Sequence, residues 1–116
     1  SHDSHNFCVV YRDPRDAFAA AEELKRCGGG ITAVSKGEVL ATAELPVAGL
    51  MSALPVEQVA TEVERALAAI SSLCGGLNTF NKLLSLALVV LPGTLISDRG
   101  IVDGPTQTFL PVFIDQ

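Results

Sequence analysis

The residues best suited to chemistry stand at the start of the chain, in His2-Asp3-Ser4-His5-Asn6, and His2 and His5 are its two histidines. Imidazole and carboxylate groups bind metal ions and shuttle protons, so a metal centre or an acid–base pair is sought here first. A hydrolytic zinc site takes three protein ligands and a two-metal site more, converging from several elements. Two histidines three residues apart on an extended segment point to different faces, so a metal held by them needs ligands from outside. No metal, no cofactor and no complete catalytic set is expected within this chain. Two readings of the segment stay open. It is either a polar lead-in to a strand, capping backbone groups, or a loop that carries His2, Asp3, Ser4, His5 or Asn6 into a neighbouring domain's active site.

Other nucleophiles fare no better. Ser4 beside His5 is not a triad, because such geometry joins distant residues and no G-x-S-x-G elbow is present. Cys8 lies in the apolar run Asn6 to Tyr11 and is expected to be buried and inert. Gly28-Gly29-Gly30 invites a phosphate-loop reading, but it follows a helical pattern and opens a strand, so no helix N-terminus is available to hold an anion. It is expected to be a helix cap and tight turn.

The elements that must position these residues follow from hydrophobic period and turn chemistry. Asn6 to Tyr11 predicts a buried strand. Asp13 as cap, Pro14 at the first position and Asp16 near the positive dipole end predict a helix, with Phe18, Ala21 and Leu24 inward and Glu22, Glu23, Lys25 and Arg26 in water. Ile31 to Ser35 and Glu38 to Leu45, joined by Lys36-Gly37, predict an antiparallel hairpin whose small side chains pack closely on a helix. Pro55 opens a second helix with an apolar stripe from Val56 through Val59, Val63, Ala66 and Ile70 to Leu73, and with Glu57, Glu62, Glu64 and Arg65 opposite. Phe80 to Leu84 predicts a helical turn, Leu86 to Leu91 a buried strand, Ser97 to Gly100 a turn, and Thr108 to Ile114 an edge strand limited by Pro111. The order β-α-β-β-α-β gives an α+β fold: a mixed, mainly antiparallel sheet of four to five strands with two main helices packed on it, as one domain over residues 1–116.

Between the hairpin and the second helix, Pro46 to Ser52 is apolar without strand alternation. Val47, Leu50 and Met51 are expected to dock on something outside the domain's own core. The chain has 116 residues, 48% of them hydrophobic, enough for a core and too apolar for disorder. A net charge of −5 and eight scattered Lys and Arg argue against nucleic acid and anionic membranes. Three cysteines without a C-x-x-C pair predict reduced, mostly buried thiols and a cytoplasmic location. Ser1 to Asn6 lacks the apolar stretch of a signal peptide, and Leu86 to Leu91 is too short to span a bilayer.

Read in order, His2-Asp3-Ser4-His5-Asn6, Gly28-Gly29-Gly30, Gly37-Glu38-Val39-Leu40-Ala41, Leu45-Pro46-Val47-Ala48-Gly49-Leu50-Met51-Ser52, Leu83 to Pro92 and Ser97-Asp98-Arg99-Gly100-Ile101-Val102-Asp103 span nearly the whole chain. This succession resembles the C-terminal domain of adenine deaminases, in the amidohydrolase superfamily. The resemblance implies a parent enzyme of purine salvage that turns adenine and water into hypoxanthine and ammonia. It implies a binuclear manganese or iron centre in a preceding (β/α)₈ barrel, where metal-bound hydroxide attacks the purine C6 and a carboxylate moves the proton to the leaving amine. The partners it implies are that amidohydrolase barrel domain, adenine and further copies in a homo-oligomer. For this chain it implies support of the barrel and a contribution from His2 to Asn6. The alternatives are a free-standing module for a small ligand or protein, and an oligomerisation domain.

Overall fold

Asp13 starts the first helix, α1 (Pro14–Cys27), by accepting the Arg15 N–H at 2.9 Å, and Pro14 fills a position where no backbone donor is needed. The Arg15 guanidinium folds back onto the same carboxylate at 2.7 Å and holds the Asp13 pKa below its ordinary value. The helix stops at Gly28, whose φ of 79° lets its N–H reach the Leu24 carbonyl. A computed structural model describes residues 7–76, 80, 82, 85 and 88–113. Its residues group into two compact units, Val9–Thr79 and Phe80–Gln116 with Ser1–Cys8.

In the first unit, strands β1 (Gly30–Ser35) and β2 (Glu38–Glu44) form a two-stranded antiparallel sheet. Lys36 and Gly37 join them with φ of 54° and 80°, the mirror-image turn whose twist suits a hairpin. A lysine resists that conformation, and Asp16 supplies the compensation. Its carboxylate accepts the Lys36 and Gly37 N–H groups at 3.1 and 2.7 Å, tying the start of α1 to the hairpin tip. Leu40 is an extra residue in β2, since Ala33 pairs with Ala41 but Val34 pairs with Val39.

Both α1 and α2 (Val56–Leu73) pack on this hairpin. Thr32 and Thr42 face each other across the strands with hydroxyls 3.0 Å apart, and Thr42 also donates to Glu23 of α1 at 3.0 Å. Arg26 completes the network, bonding Glu23 and Glu44 at 2.8 Å each. Glu23 therefore lies against the sheet and Phe18 is 69% exposed, contrary to the sequence reading of these two residues, while Ala21 and Leu24 are half-buried and Glu22, Lys25 and Arg26 exposed as expected. On α2 the expected stripe holds at Val59, Val63, Ala66 and Ile70, with Ala66 buried and the others half-buried, but its ends Val56 and Leu73 are exposed and Glu62 is half-buried, accepting the Glu44 N–H at 3.3 Å. Small residues at Ala33, Ala43 and Ala66 bring helix and strand backbones close, and polar side chains exploit that proximity to reach main-chain and hydroxyl partners.

The second unit contains a three-stranded antiparallel sheet, β3 (Thr94–Ser97), β4 (Gly100–Asp103) and β5 (Thr108–Leu110), in sequential order. Asp98 and Arg99 form the first turn as expected, and the Arg99 guanidinium sits 5.4 Å from the centre of the Phe109 ring. Leu95 and Val102 pair directly and are buried. Gln107 is tied by its side-chain amide to the Val89 carbonyl at 2.8 Å, and Gly104 donates to Gly93 at 2.7 Å.

The α+β class holds, with both main helices on an antiparallel hairpin, but the strands divide between two sheets. Phe7 to Tyr11 is not a strand: the residues are β-prone, yet among the described residues no edge pairs with them, and propensity without a partner does not make a sheet. The described part of Leu86 to Leu91, from Leu88 on, is turn and bend, and Pro92-Gly93 follow it directly. The helical turn expected over Phe80 to Leu84 falls largely outside the described residues. The edge strand ends at Leu110, just before Pro111. Among the described residues no helix is long and apolar enough to cross a membrane.

Two outcomes follow for solution measurements. Asp16→Ala removes both hydrogen bonds to the hairpin tip and is expected to cost about 1–2 kcal/mol in urea unfolding, while Lys36→Asn, which tolerates positive φ, restores part of the loss. Arg26, with help from Thr42, holds the Glu23 pKa down from 4.5 to about 2. Because the folded-state value is the lower one, this stabilisation is present above about pH 4.5 and is lost as pH falls towards about 2. Thermal unfolding across that window is expected to show a shallower pH dependence in Glu23→Gln than in the parent sequence.

Candidate functional site

The loop after β2 is fixed by backbone contact with the glycine triplet. The Leu45 N–H donates to the Gly29 carbonyl at 2.9 Å, and the Gly29 N–H donates to the Leu24 carbonyl at 2.8 Å. A Cβ on Gly29 would stand 2.5 Å from the Gly49 Cα, and one on Gly30 would collide with the Ala43 carbonyl. The three glycines thus end α1, open β1 and leave room for the next loop to lie directly on them. This is the cap and tight turn expected from the sequence, with a packing role added.

Held in this way, Val47 to Met51 closes into a tight turn. Val47 and Met51 exchange backbone hydrogen bonds at 2.9 and 3.1 Å, and the Leu50 N–H also reaches the Val47 carbonyl at 3.1 Å. Ala48 takes a φ of 57° and Gly49 one of 73°. A left-handed alanine costs on the order of 1–2 kcal/mol and persists only where its surroundings dictate it. The result is a preformed knob with Val47 and Met51 exposed at its base and Leu50 half-buried. Leu54 and Val56, the latter expected on the core stripe of the helix, continue the exposed apolar run.

The fully buried residues of this unit are small, Cys27, Ala33, Ala43 and Ala66, while Phe18, Val47, Met51, Leu54 and Val56 are exposed. A domain that buries alanine and exposes Val47, Met51 and Val56 offers a surface suited to a partner. The contrast extends to Cys8, which is exposed rather than buried. Cys27 is buried and Cys74 half-buried.

His2, Asp3, Ser4, His5 and Asn6 lie outside the described residues. Among those described, no three His, Cys, Asp or Glu side chains come together as a metal site, so they do not fit a metal centre. A shallow depression runs along α2 beside Glu57, Thr61 and Arg65. It has no enclosing wall to hold a ligand.

The family model for the adenine deaminase C-terminal domain matches residues 1–108. The chain belongs to this family. Adenine deaminase 2 of Carboxydothermus hydrogenoformans is 41% identical over 114 residues, 97% of this chain and 20% of its own length. An adenine deaminase of Roseobacter denitrificans is 43% identical over 97% of this chain and 19% of its own length. One of Clostridium botulinum is 37% identical over 100% and 20%. The chain thus spans about one fifth of the curated relatives it matches. A free-standing binding or oligomerisation module is not favoured for a chain aligned from end to end with one domain of adenine deaminases.

The geometry of the knob is testable. Gly29→Ala is expected to destabilise by about 3 kcal/mol, from strain at positive φ together with collision against Gly49. Ala48→Gly is expected to stabilise by about 1 kcal/mol. Chemical denaturation measures both, and a neutral Gly29→Ala would remove the backbone contact from the account.

Proposed function

We propose that this chain is the C-terminal support domain of a cytoplasmic adenine deaminase, a hydrolase that turns adenine and water into hypoxanthine and ammonia in purine salvage. The observation that carries the reading is the alignment of 97–100% of the chain with about one fifth of adenine deaminases from three organisms. In this reading the manganese or iron centre belongs to the preceding barrel domain, and no step at that centre is assigned to the residues described here. The parent is a homo-oligomer.

The domain's work is positional. Val47, Leu50 and Met51 form the knob that docks on the barrel, and the small core leaves the apolar area for that contact unspent. His2, Asp3, Ser4, His5 and Asn6 reach from the domain's N-terminal side towards the barrel's active site. An imidazole or carboxylate from this segment would hold the purine by hydrogen bonds or pass a proton at its edge.

The test is adenine deamination by the full-length protein with added manganese, followed by the ultraviolet change to hypoxanthine. His5→Ala is expected to lower kcat by about 100-fold at unchanged metal content. Met51→Asp is expected to lower the unfolding temperature of the full-length protein. No deamination at all would overturn the deaminase reading, and full kcat in His5→Ala would remove this segment from the site.

A further inference from the structure

We propose that Asp103–Gly104 is a site of spontaneous isomerisation to isoaspartate, kept closed in the folded protein by hydrogen bonds to both halves of the reacting pair. The chemistry is intramolecular. The Gly104 amide nitrogen attacks the side-chain carboxyl carbon of Asp103 and forms an N–C bond. One carboxyl oxygen leaves as water, taking the amide proton and the acid proton, and a succinimide ring remains. Water then adds to either ring carbonyl, reopening it to aspartate or to isoaspartate, in which the main chain runs through the side-chain carbon and gains a methylene. No oxidant, metal or further reactant takes part. Glycine permits this attack readily, because it has no side chain to shield its nitrogen or restrict its backbone.

The fold itself demands that glycine. Gly104 is buried, and a Cβ there would collide with the Leu91 carbonyl. Asp103 is equally occupied, its Oδ2 accepting the Thr106 N–H at 3.2 Å and the Thr106 hydroxyl. The peptide group between the two residues is held at both ends. Its carbonyl, that of Asp103, accepts the Gln107 N–H at 2.8 Å, and its N–H, that of Gly104, donates to the Gly93 carbonyl at 2.7 Å. Asp103 also pairs with Thr94 on one side and Thr108 on the other, in the extended conformation of β4. An extended ψ turns the Gly104 nitrogen away from the Asp103 side chain, so ring closure needs the peptide plane to rotate. Rotation breaks both backbone hydrogen bonds, and the carboxylate must leave Thr106 as well. All these partners lie within the unit Phe80–Gln116. Isomerisation is also hard to accommodate afterwards, since an added methylene beside Gly104 has no room against the Leu91 carbonyl. Opening of the β4–β5 turn admits the reaction, and the reaction keeps the turn open.

The test incubates the full-length protein, native and in urea, at one pH and temperature. The peptide carrying Asp103 is separated by chromatography into its aspartate and isoaspartate forms. The second is confirmed as a methyl acceptor for protein isoaspartate methyltransferase with S-adenosylmethionine. Isoaspartate at 103 is expected to accumulate at least about tenfold faster in urea than in the native protein. Thr106→Val removes the hydroxyl and keeps the side-chain shape, and is expected to raise the native rate about threefold or more while leaving the rate in urea unchanged. Thr106→Ser keeps the hydroxyl and the slow native rate. Should Thr106→Val not fold, the native-to-urea ratio of the parent sequence decides alone. No isoaspartate at 103 in urea overturns the site. Native and urea rates within about twofold of each other overturn its closure by the fold, and so does a folded Thr106→Val that isomerises at the parent rate. The readout is the state of one peptide bond, so it stands whatever reaction the parent protein catalyses.

Discussion

The close approach of backbone to backbone at Gly29 and Gly49 is the constraint on which the α1–hairpin–α2 unit depends. Because no Cβ intervenes, the end of α1, the first residue of β1 and the loop leaving β2 occupy one small volume, joined by the Leu45 to Gly29 hydrogen bond. That contact decides where β2 ends and forces Ala48 into a conformation it would otherwise avoid. The knob is therefore a consequence of the glycine triplet. Its apolar residues are displayed by a rigid turn, which lets them bind a partner without first losing loop entropy.

At the other end of α1 the same economy operates through carboxylates. Asp16 holds the hairpin tip, and seven residues later Glu23 holds the strand hydroxyls, so two turns of one helix grip both ends of the sheet. Arg26 then bridges Glu23 to Glu44 across elements. An exposed ion pair contributes little alone, but Glu23 has a side chain only 15% exposed and is shared between Arg26 and Thr42. The polar network fixes register and helix position. Apolar packing supplies less here than in a domain with large buried side chains, since the buried positions are alanines and a cysteine.

Local chemistry was legible in the sequence wherever it was self-contained. The Asp13-Pro14 start, the Gly28 stop, the Lys36-Gly37 turn and the Ser97 to Gly100 turn all depend on residues within a few positions of one another. What the sequence concealed was direction. Glu23 and Glu62 read as solvent-facing because they are charged, and Phe18 and Val56 as core because they are apolar. Close packing through alanines reversed both, bringing the strands within reach of carboxylates. The strand expected at Asn6 to Tyr11 has the right composition, but composition does not say which edge will receive it. Of the candidate site, Val47, Leu50 and Met51 were recognisable from an apolar loop without alternation, whereas the strain that shapes it depends on Gly29, twenty residues earlier.

The central claim is that this domain completes its folding surface against the rest of a deaminase. It is tested most directly by equilibrium urea unfolding of the full-length protein, following adenine turnover and hydrogen exchange of these 116 residues on the same samples. A domain whose apolar surface is shared with its neighbour unfolds in the same transition that abolishes turnover. If these residues exchange freely at a urea concentration where turnover is still complete, the domain neither completes its fold on the parent nor supports its active site, and the account is wrong.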